Sequence, residues 1–376
     1  MFGRPAARTA PAAGSPHGVS EHLPSSPTLP SGDPRFTQAR GKNVFNGNEL
    51  LIKGALEAGV GLLVGYPGSP VADVFEIAGR LSELLTEKGI VAQVANNEAL
   101  AAARLNGSQM APIRALGFMK SVGGHVAADG LAITNLAGVH PGGGAVVVIG
   151  DDPWTDSTQV PADSRYLLEH LRIPVVEPAT FQEVKDWLDA CYQLSTAANL
   201  LIGYRVTTNQ ADGAGVVRLR PNSYPKLNRH HRVSLDARSI STDNRVMLAP
   251  DTGRAEVQLA NERFPRLLEQ TRRLGLDQTL YLDSSDHSPL TTHHSPAVRH
   301  RLGIVTSGMV YNYVEHAFDE LGIQGKVPIL KLGLVYPLDP ERLLEFAGQV
   351  DELVVVEEQR DFIESQVVRT LRDARQ

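Results

Sequence analysis

A single glutamate stands where a short apolar segment gives way to a helical pattern, in the stretch VANNEALAAARLNGSQ (residues 94–109). Asn96 or Asn97 fits a helix cap, and the helix dipole would favour Glu98 in the first turn. The alanines that follow favour a helix and keep it thin enough for its backbone to approach another group. Glu98 can therefore serve as a helix start or present a carboxylate to a ligand.

Three further loops have residue types suited to binding. Their sequences are GYPGSP (65–70), MKSVGG (119–124) and GDDPWTDSTQ (150–159). Gly68 and Ser69 precede a helical pattern and could offer N–H groups and a hydroxyl to an anion or a heteroaromatic ring. A turn without a ligand explains the first loop equally well, because loops between strands and helices are commonly rich in Gly and Pro.

Alternating strand and helix patterns must position these loops. From about residue 46, helical segments such as NELLIKGALEA alternate with apolar segments such as VGLLVG, IRALGFM, GAVVVIG and NLLIGYRVTT. This alternation predicts an α/β fold with a parallel sheet covered on both faces. Ligands of open α/β sheets bind beyond the carboxyl ends of the strands, which is where the four loops would lie.

The same patterns divide the chain into four segments. Residues 1–40 are rich in Pro, Ser, Ala and Gly and predict a disordered tail, and residues 41–210 predict the first α/β domain. Residues 211–300 break the alternation with basic and His-rich loops around one helical stretch, which indicates a connector. Alternation resumes over residues 301–376 and predicts a second, smaller α/β domain.

Composition excludes several classes of protein. A net charge of -6 and a pI near 6.1 lack the basic excess of nucleic-acid-binding proteins. The single cysteine, Cys191, excludes an internal disulfide and cannot by itself ligate an iron–sulfur cluster. No apolar run approaches the length of a membrane span, and the first forty residues lack the apolar core of a secretory signal. We therefore expect a cytoplasmic protein that binds neither nucleic acid nor membrane.

Several motifs occur in one order along the chain: GNELLIKGALEAGVGLLVGYPGSP, NNEALAAARLNGS, MKSVGGHVAADGL, DDPWTDSTQVPADSR, GIVTSGMVYNYV and LKLGLVYPL. Together they resemble the α subunit of indolepyruvate ferredoxin oxidoreductase and, more broadly, thiamine diphosphate-dependent 2-oxoacid:acceptor oxidoreductases. The resemblance runs from about residue 46 to residue 376. It implies that residues 41–210 form the pyrimidine-binding domain and that residues 301–376 form a domain similar to the C-terminal domain of transketolase.

The resemblance also implies roles for the first two loops. Glu98 matches the glutamate that faces the ring nitrogen of the cofactor's aminopyrimidine and stabilises its protonated form, so we interpret Glu98 as catalytic and cofactor-binding. The family's turn beside the pyrimidine matches Tyr66, Pro67, Gly68, Ser69 and Pro70. A plain helix start remains the alternative for Glu98.

The other two loops supply the predicted substrate-binding residues. Lys120 matches the family's lysine, but Ser121 stands where the common pattern has histidine, so the role of that position is open. Gln159 fits the fourth motif, although the polar run that follows it in the family is replaced by residues 160–162, VPA.

Arg165 is the remaining predicted substrate ligand. Its guanidinium could hold a carboxylate through two hydrogen bonds. Pairing with Asp163 or Glu169 on the surface is the equally plain alternative.

No GDG-type metal motif followed by asparagine is present, so we predict no metal site on this chain. In this family thiamine diphosphate usually lies between two domains. The resemblance therefore implies that a partner subunit carries the diphosphate-binding domain with its Mg²⁺, and that iron–sulfur clusters lie on an iron–sulfur subunit or ferredoxin. A gamma-type subunit is a further expected partner, and the chain alone is expected to be inactive.

Two other functions stay open. The chain could be a component of a non-redox thiamine diphosphate-dependent 2-oxoacid decarboxylase. It could also be a non-catalytic scaffold subunit with a decayed site, an alternative that the departures at Ser121 and Val160 keep open. Two clusters are predicted to have no catalytic role. The first is a histidine-rich polar loop containing His287, His293, His294 and His300. The second is an acidic subunit contact or solvated helix start containing Glu357, Glu358, Asp361 and Glu364.

Overall fold

The computed structural model describes residues 32–231, 247–281 and 299–375. Its strands are β1 (Lys42–Asn46), β2 (Leu62–Gly65), β3 (Val91–Val94), β4 (Arg114–Lys120), β5 (Gly144–Asp151), β6 (Val175–Val176), β7 (Leu201–Thr207), β8 (Ala214–Arg218), β9 (Gln278–Leu280), β10 (His300–Ser307), β11 (Ile329–Leu332), β12 (Leu334–Tyr336) and β13 (Val350–Val356).

Its α-helices are α1 (Gly47–Glu57), α2 (Asp73–Arg80), α3 (Ser82–Glu87), α4 (Glu98–Ser108), α5 (Ser121–Ala137), α6 (Arg165–His170), α7 (Phe181–Ala198), α8 (Thr208–Asp212), α9 (Asp251–Gln258), α10 (Phe264–Leu274), α11 (Gly308–Glu320), α12 (Pro340–Ala347) and α13 (Phe362–Asp373). A 3-10 turn precedes β1 at Pro34–Phe36, and a π-helical turn joins α9 to α10 at Leu259–Arg263. None of these helices in the described ranges is both long and apolar enough to span a membrane.

The larger sheet has seven strands in the order β12-β6-β7-β5-β4-β2-β3. All neighbouring pairs are parallel except β12 with β6. Successive strand residues point to opposite faces, so that along β5 Val146 and Val148 pack with α1 and α7, whereas Val147 and Ile149 pack with α4 and α5. The predicted parallel α/β fold, buried on both faces, is confirmed.

The second sheet has the order β13-β10-β11-β9, with only β9 antiparallel. Directly after β11, the chain crosses at Gly333 to the larger sheet and forms its edge strand β12. The second unit therefore contributes a strand to the first. The description of residues 211–300 as a connector was wrong in part, because β9 belongs to the second sheet and α10 packs against α7.

The segment just before β1 is packed against the first domain. Phe36 is 2% exposed and meets Phe45 edge-on, with ring centroids 5.3 Å apart. Arg35 forms ion pairs with Asp33 at 2.6 Å and Glu49 at 2.5 Å. The prediction of a disordered tail over residues 1–40 was therefore wrong for residues 34–40, where one aromatic ring and one cation anchor a polar segment. Residues 1–31 lie outside the described ranges.

Candidate active site

Four loops of the larger sheet lie beyond the carboxyl ends of its strands. Because β5, β4, β2 and β3 are adjacent and parallel, the loops that follow them open at the same edge. They contain the four segments singled out in the sequence, at residues 65–70, 96–98, 119–124 and 150–159, although in the third the strand β4 passes directly into α5 at Ser121 without a loop. The structure thus brings the predicted cofactor loop and Glu98 to one edge.

Glu98 is the first residue of α4. Asn97 is the cap, and its side-chain oxygen accepts a hydrogen bond from the N–H of Leu100 at 2.9 Å. Because Asn97 already caps α4, the Glu98 carboxylate is not needed as a cap and is available to another partner. Glu98 is only 8% exposed, and within the described part of the chain its side chain has no hydrogen-bond or ion-pair partner.

Gly123 of α5 is what makes room for this carboxylate. A Cβ added to Gly123 would lie 2.4 Å from Oε1 of Glu98, closer than real Cβ contacts allow. Glycine at position 123 lets α4 and α5 pack together with the Glu98 side chain in its observed position between them. Within the MKSVGG segment, Gly123 therefore makes space for the Glu98 side chain because it has no side chain of its own. The sequence alone did not indicate this role.

The Tyr66–Pro70 loop is held by the end of β4 and by α1. The N–H of Tyr66 donates to the carbonyl of Phe118 at 3.1 Å, and the carbonyl of Pro70 accepts from Asn48 Nδ2 at 3.0 Å. Gly68 packs on Lys120, where an added Cβ would lie 2.8 Å from Cγ. Tyr66 itself is 39% exposed, so its ring can contact a ligand.

Three of the four predicted substrate residues line one cavity of about 380 Å³. These are Lys120, Ser121 and Gln159. The remaining lining residues are Val122, Ser157, Thr158 and Val160. The cavity thus combines one ammonium group with hydroxyl and amide groups, a set suited to a carboxylate and a neighbouring carbonyl.

Asp152 shapes the loop that forms one wall of this cavity. Its carboxylate accepts hydrogen bonds from the N–H groups of Asp156 at 2.9 Å, Ser157 at 2.8 Å and Thr158 at 2.6 Å. Burial alone would raise the pKa of this carboxyl, but these N–H groups hold the pKa below its ordinary value. The carboxylate therefore stays ionised and fixes the loop conformation.

Arg165 does not belong to this cavity. It is 1% exposed and donates to Asp163 at 2.8 and 2.7 Å, to Glu357 at 3.1 Å and to the carbonyl of Glu358 at 2.8 Å. Its assignment as a substrate ligand is wrong because the second unit buries the guanidinium and engages it. The alternative of a partner at Asp163 is right, but the pair is buried and does not involve Glu169.

Arg165 is part of a buried charge network that joins the two units, and the sequence did not reveal this network. Arg205 Nε donates to Asp151 at 2.6 Å, and Arg205 Nη1 donates to Glu177 at 3.0 Å. Ser307 of the second unit donates to Glu177 at 2.7 Å, and Trp154 Nε1 donates to Glu358 at 3.3 Å.

Burial raises the pKa of Asp151 and of Glu358, while Arg205 opposes both shifts. An arginine inside the apolar segment LIGYRVT was the one available sign of such a network.

The histidine-rich and acidic clusters noted in the sequence lie apart from this cavity or outside the described residues. No group of three His, Cys, Asp or Glu residues there is arranged to hold a metal ion. His300 lies in β10, whereas His287, His293 and His294 lie outside the described residues. Glu357 accepts hydrogen bonds from the N–H groups of Ile363 and Glu364 in the first turn of α13. It therefore caps this helix and is buried between the two units.

The amino-acid sequence is similar to those of known proteins. The family model described as indolepyruvate oxidoreductase domain matches residues 293–376. The protein named indolepyruvate oxidoreductase subunit IorA from Archaeoglobus fulgidus is 32% identical over 332 residues, which cover 88% of this chain and 49% of that protein. Its namesake from Pyrococcus horikoshii is 28% identical, with 87% and 47% covered.

The chain is related to the IorA subunits of indolepyruvate oxidoreductase. It spans about half the length of these curated relatives. The resemblance stated from the sequence motifs is therefore confirmed.

A solved structure also shares the fold. It is the 2-oxoglutarate:ferredoxin oxidoreductase from Magnetococcus marinus with 2-oxoglutarate, coenzyme A and succinyl-CoA bound. The TM-score is 0.64 at 15% identity, covering 88% of this chain and 60% of that one. At this identity the likeness concerns the fold, and it places this IorA relative among proteins with the same α/β architecture.

Proposed function

We propose that this chain supplies the pyrimidine side of a thiamine diphosphate site in a heteromeric, cytoplasmic oxidoreductase that oxidatively decarboxylates an arylpyruvate-like 2-oxoacid. The names of the IorA relatives support indolepyruvate as the substrate. The single observation that carries the proposal is the Glu98 side chain, which is only 8% exposed, has no partner among the described residues and lies at the carboxyl edge of a parallel sheet.

The residues at this edge fit an aminopyrimidine. The Glu98 carboxylate has no donor among the described residues, and a protonated ring nitrogen would supply one through a charge-assisted hydrogen bond. The backbone and ring of the Tyr66–Pro70 loop would contact the heterocycle, since the loop is anchored on both sides and Tyr66 is partly exposed. When bound, thiamine diphosphate would supply the carbon nucleophile and the electron sink that decarboxylation requires.

The cavity beside this edge is suited to the 2-oxoacid. Lys120 would neutralise the substrate carboxylate, and Ser121 and Gln159 would donate hydrogen bonds to its oxygen atoms. The Asp152-capped loop would hold Gln159 in place. In this scheme Glu98 is catalytic, and the three cavity residues bind and orient the acid.

Other polypeptide segments would complete the site. One cysteine cannot ligate an iron–sulfur cluster, so the clusters, like the Mg²⁺-dependent grip on the diphosphate, are assigned to partner subunits. Exposed apolar side chains on α4, α5 and the Asp152 loop support an interface beside Glu98. They are Leu100 (48%), Val122 (43%), Val126 (55%) and Val160 (57%). A gamma-type subunit and a ferredoxin-type electron acceptor complete the proposed assembly.

Titration calorimetry tests the proposal. We expect thiamine diphosphate with Mg²⁺ to bind the chain weakly alone and at least tenfold more tightly once the partner subunits are present. The Glu98→Gln complex should bind more weakly than wild type. Equal affinity of the lone chain and the complex, or full binding by Glu98→Gln, would contradict the proposed division of the site.

A further inference from the structure

The edge strand β3 presents a free side. The N–H groups of Val91 and Ala95 donate to Gly61 and Gly65 at 2.9 and 2.8 Å, so the odd-numbered residues face β2. The backbone N–H and C=O groups of Ala92 and Val94 therefore point away from the sheet. In the described part of the chain no strand pairs with that side, and Val94 is 51% exposed.

A groove flanks this edge on each face of the sheet. The first, of about 260 Å³, has a mixed lining in which Phe75, Leu85 and Ile90 are joined by polar side chains such as Thr86 and Arg229. The second, of about 530 Å³, has an apolar floor and lies beside α4. A strand added to β3 would direct alternate side chains into these two grooves, since successive side chains of a strand point to opposite faces.

The second groove carries unpaired positive charge. Arg104 and Arg229 both line it and are exposed, and neither forms an ion pair with another described residue. His231 stands at the same groove, and neither groove has an acidic residue in its lining. Arg229 also lines the first groove, whereas Arg104 and His231 line the second groove only, so the carboxylates of an added strand should face the second groove.

We propose that the β3 edge binds an extended acidic segment of a partner polypeptide, which joins the larger sheet as an eighth strand. A second copy of this chain fits less well, because edge-to-edge pairing of two β3 strands would gather four unpaired arginines along one seam. The binding surface ends three residues before Asn97, the cap of the Glu98 helix. The inference does not rest on the proposed function, because it uses only the edge and its grooves.

Two labelled peptides test the inference on the full chain without cofactor. Fluorescein-(Val-Glu)₃ places all its carboxylates on one face of a strand, and fluorescein-(Val-Lys)₃ is its charge-reversed match. Fluorescence anisotropy should show at least tenfold tighter binding of the acidic peptide. In the Arg104→Glu/Arg229→Glu variant this preference should reverse, whereas Arg266→Glu/Arg273→Glu, on the exposed face of α10, should behave like wild type.

Amide hydrogen exchange then locates the peptide. Saturating acidic peptide should slow exchange at Ala92 and Val94 at least tenfold and leave Gln93, already paired to β2, unchanged. Equal binding of the two peptides, no binding of either at 1 mM, or protection only at another surface would overturn the proposal. So would edge amides that are already protected in the free chain.

Discussion

Replacing Gly123 by alanine would test the site without touching any side chain proposed to act in it. The new Cβ would lie 2.4 Å from Oε1 of Glu98, and ordinary contacts begin at 3.4 Å. Cγ and Cδ of Glu98 would lie 2.8 and 2.9 Å from the same Cβ, so the whole side chain must move by about 1 Å. It has no hydrogen-bond partner among the described residues, so it can move without breaking a bond. Because a misplacement of about 1 Å can reduce a rate by about 100-fold, we expect turnover of the assembled complex to fall on that scale.

The free energy of unfolding of Gly123→Ala should rise, although its activity falls. Alanine is favoured over glycine within a helix by about 0.5–1 kcal/mol, and Gly123 lies inside α5. The matched control is Gly107→Ala in α4, the helix of Glu98, where an added Cβ meets nothing within 4 Å. Both variants should match or exceed wild type in urea denaturation, and only Gly123→Ala should lose activity.

The assay is 2-oxoacid-dependent reduction of a dye by the complex reconstituted with each variant. Indolepyruvate is the substrate of choice, and thiamine diphosphate affinity is measured alongside. Normal turnover in Gly123→Ala would refute the reasoning, because it would show that the position of the Glu98 carboxylate does not matter. Equal losses in both variants would refute it as well, since they would point to a helix effect.

Three further predictions concern stability. Arg165→Met should lower the free energy of unfolding by about 3–5 kcal/mol in urea, because the buried carboxylate of Asp163 would lose the cation to which it is hydrogen-bonded. Unchanged stability with a raised KM for the 2-oxoacid would restore the substrate role. Burial raises the pKa of Asp277 to about 6, so the protonated carboxyl stabilises the fold below about pH 4 and this contribution is lost as the pH rises through about 6. Asp277→Asn cannot ionise, and its stability relative to wild type should therefore rise by about 2–3 kcal/mol between pH 4 and pH 8; a pH-independent difference would contradict this. Phe36→Ala should lower the free energy of unfolding by about 3–5 kcal/mol in thermal or urea denaturation. A loss below about 1 kcal/mol would show that residues 34–40 do not pack stably against the first domain.

Periodicity and loop chemistry made much of the fold predictable. The segment GAVVVIG became β5, and the helical segment NELLIKGALEA became α1. These elements follow from local residue patterns, and the parallel sheet follows from their alternation. The four candidate loops could be chosen because parallel strands all end at one edge of the sheet.

The remaining features depend on contacts between distant parts of the chain. Nothing local in LGLVYPL indicates that Leu334–Tyr336 leaves one sheet for another, because its partner β6 lies far away in sequence. The sequence around Arg165 was compatible with either a substrate ligand or a surface ion pair. The contacts with residues 357–358, far away in sequence, bury the side chain and exclude both. The contact between Gly123 and Glu98 likewise arises only when α4 and α5 pack together.

The measurement that tests the central claim most directly is turnover of the reconstituted Glu98→Gln complex. Glutamine keeps the size of the side chain and much of its helix propensity but removes the charge. Asn97 already caps α4, so the variant should lose about 1 kcal/mol of stability or less. Dye reduction driven by the 2-oxoacid should nevertheless fall by about 100-fold or more, the scale of a lost acid–base function. Near-normal turnover would contradict the account and leave Glu98 as no more than the first residue of a helix.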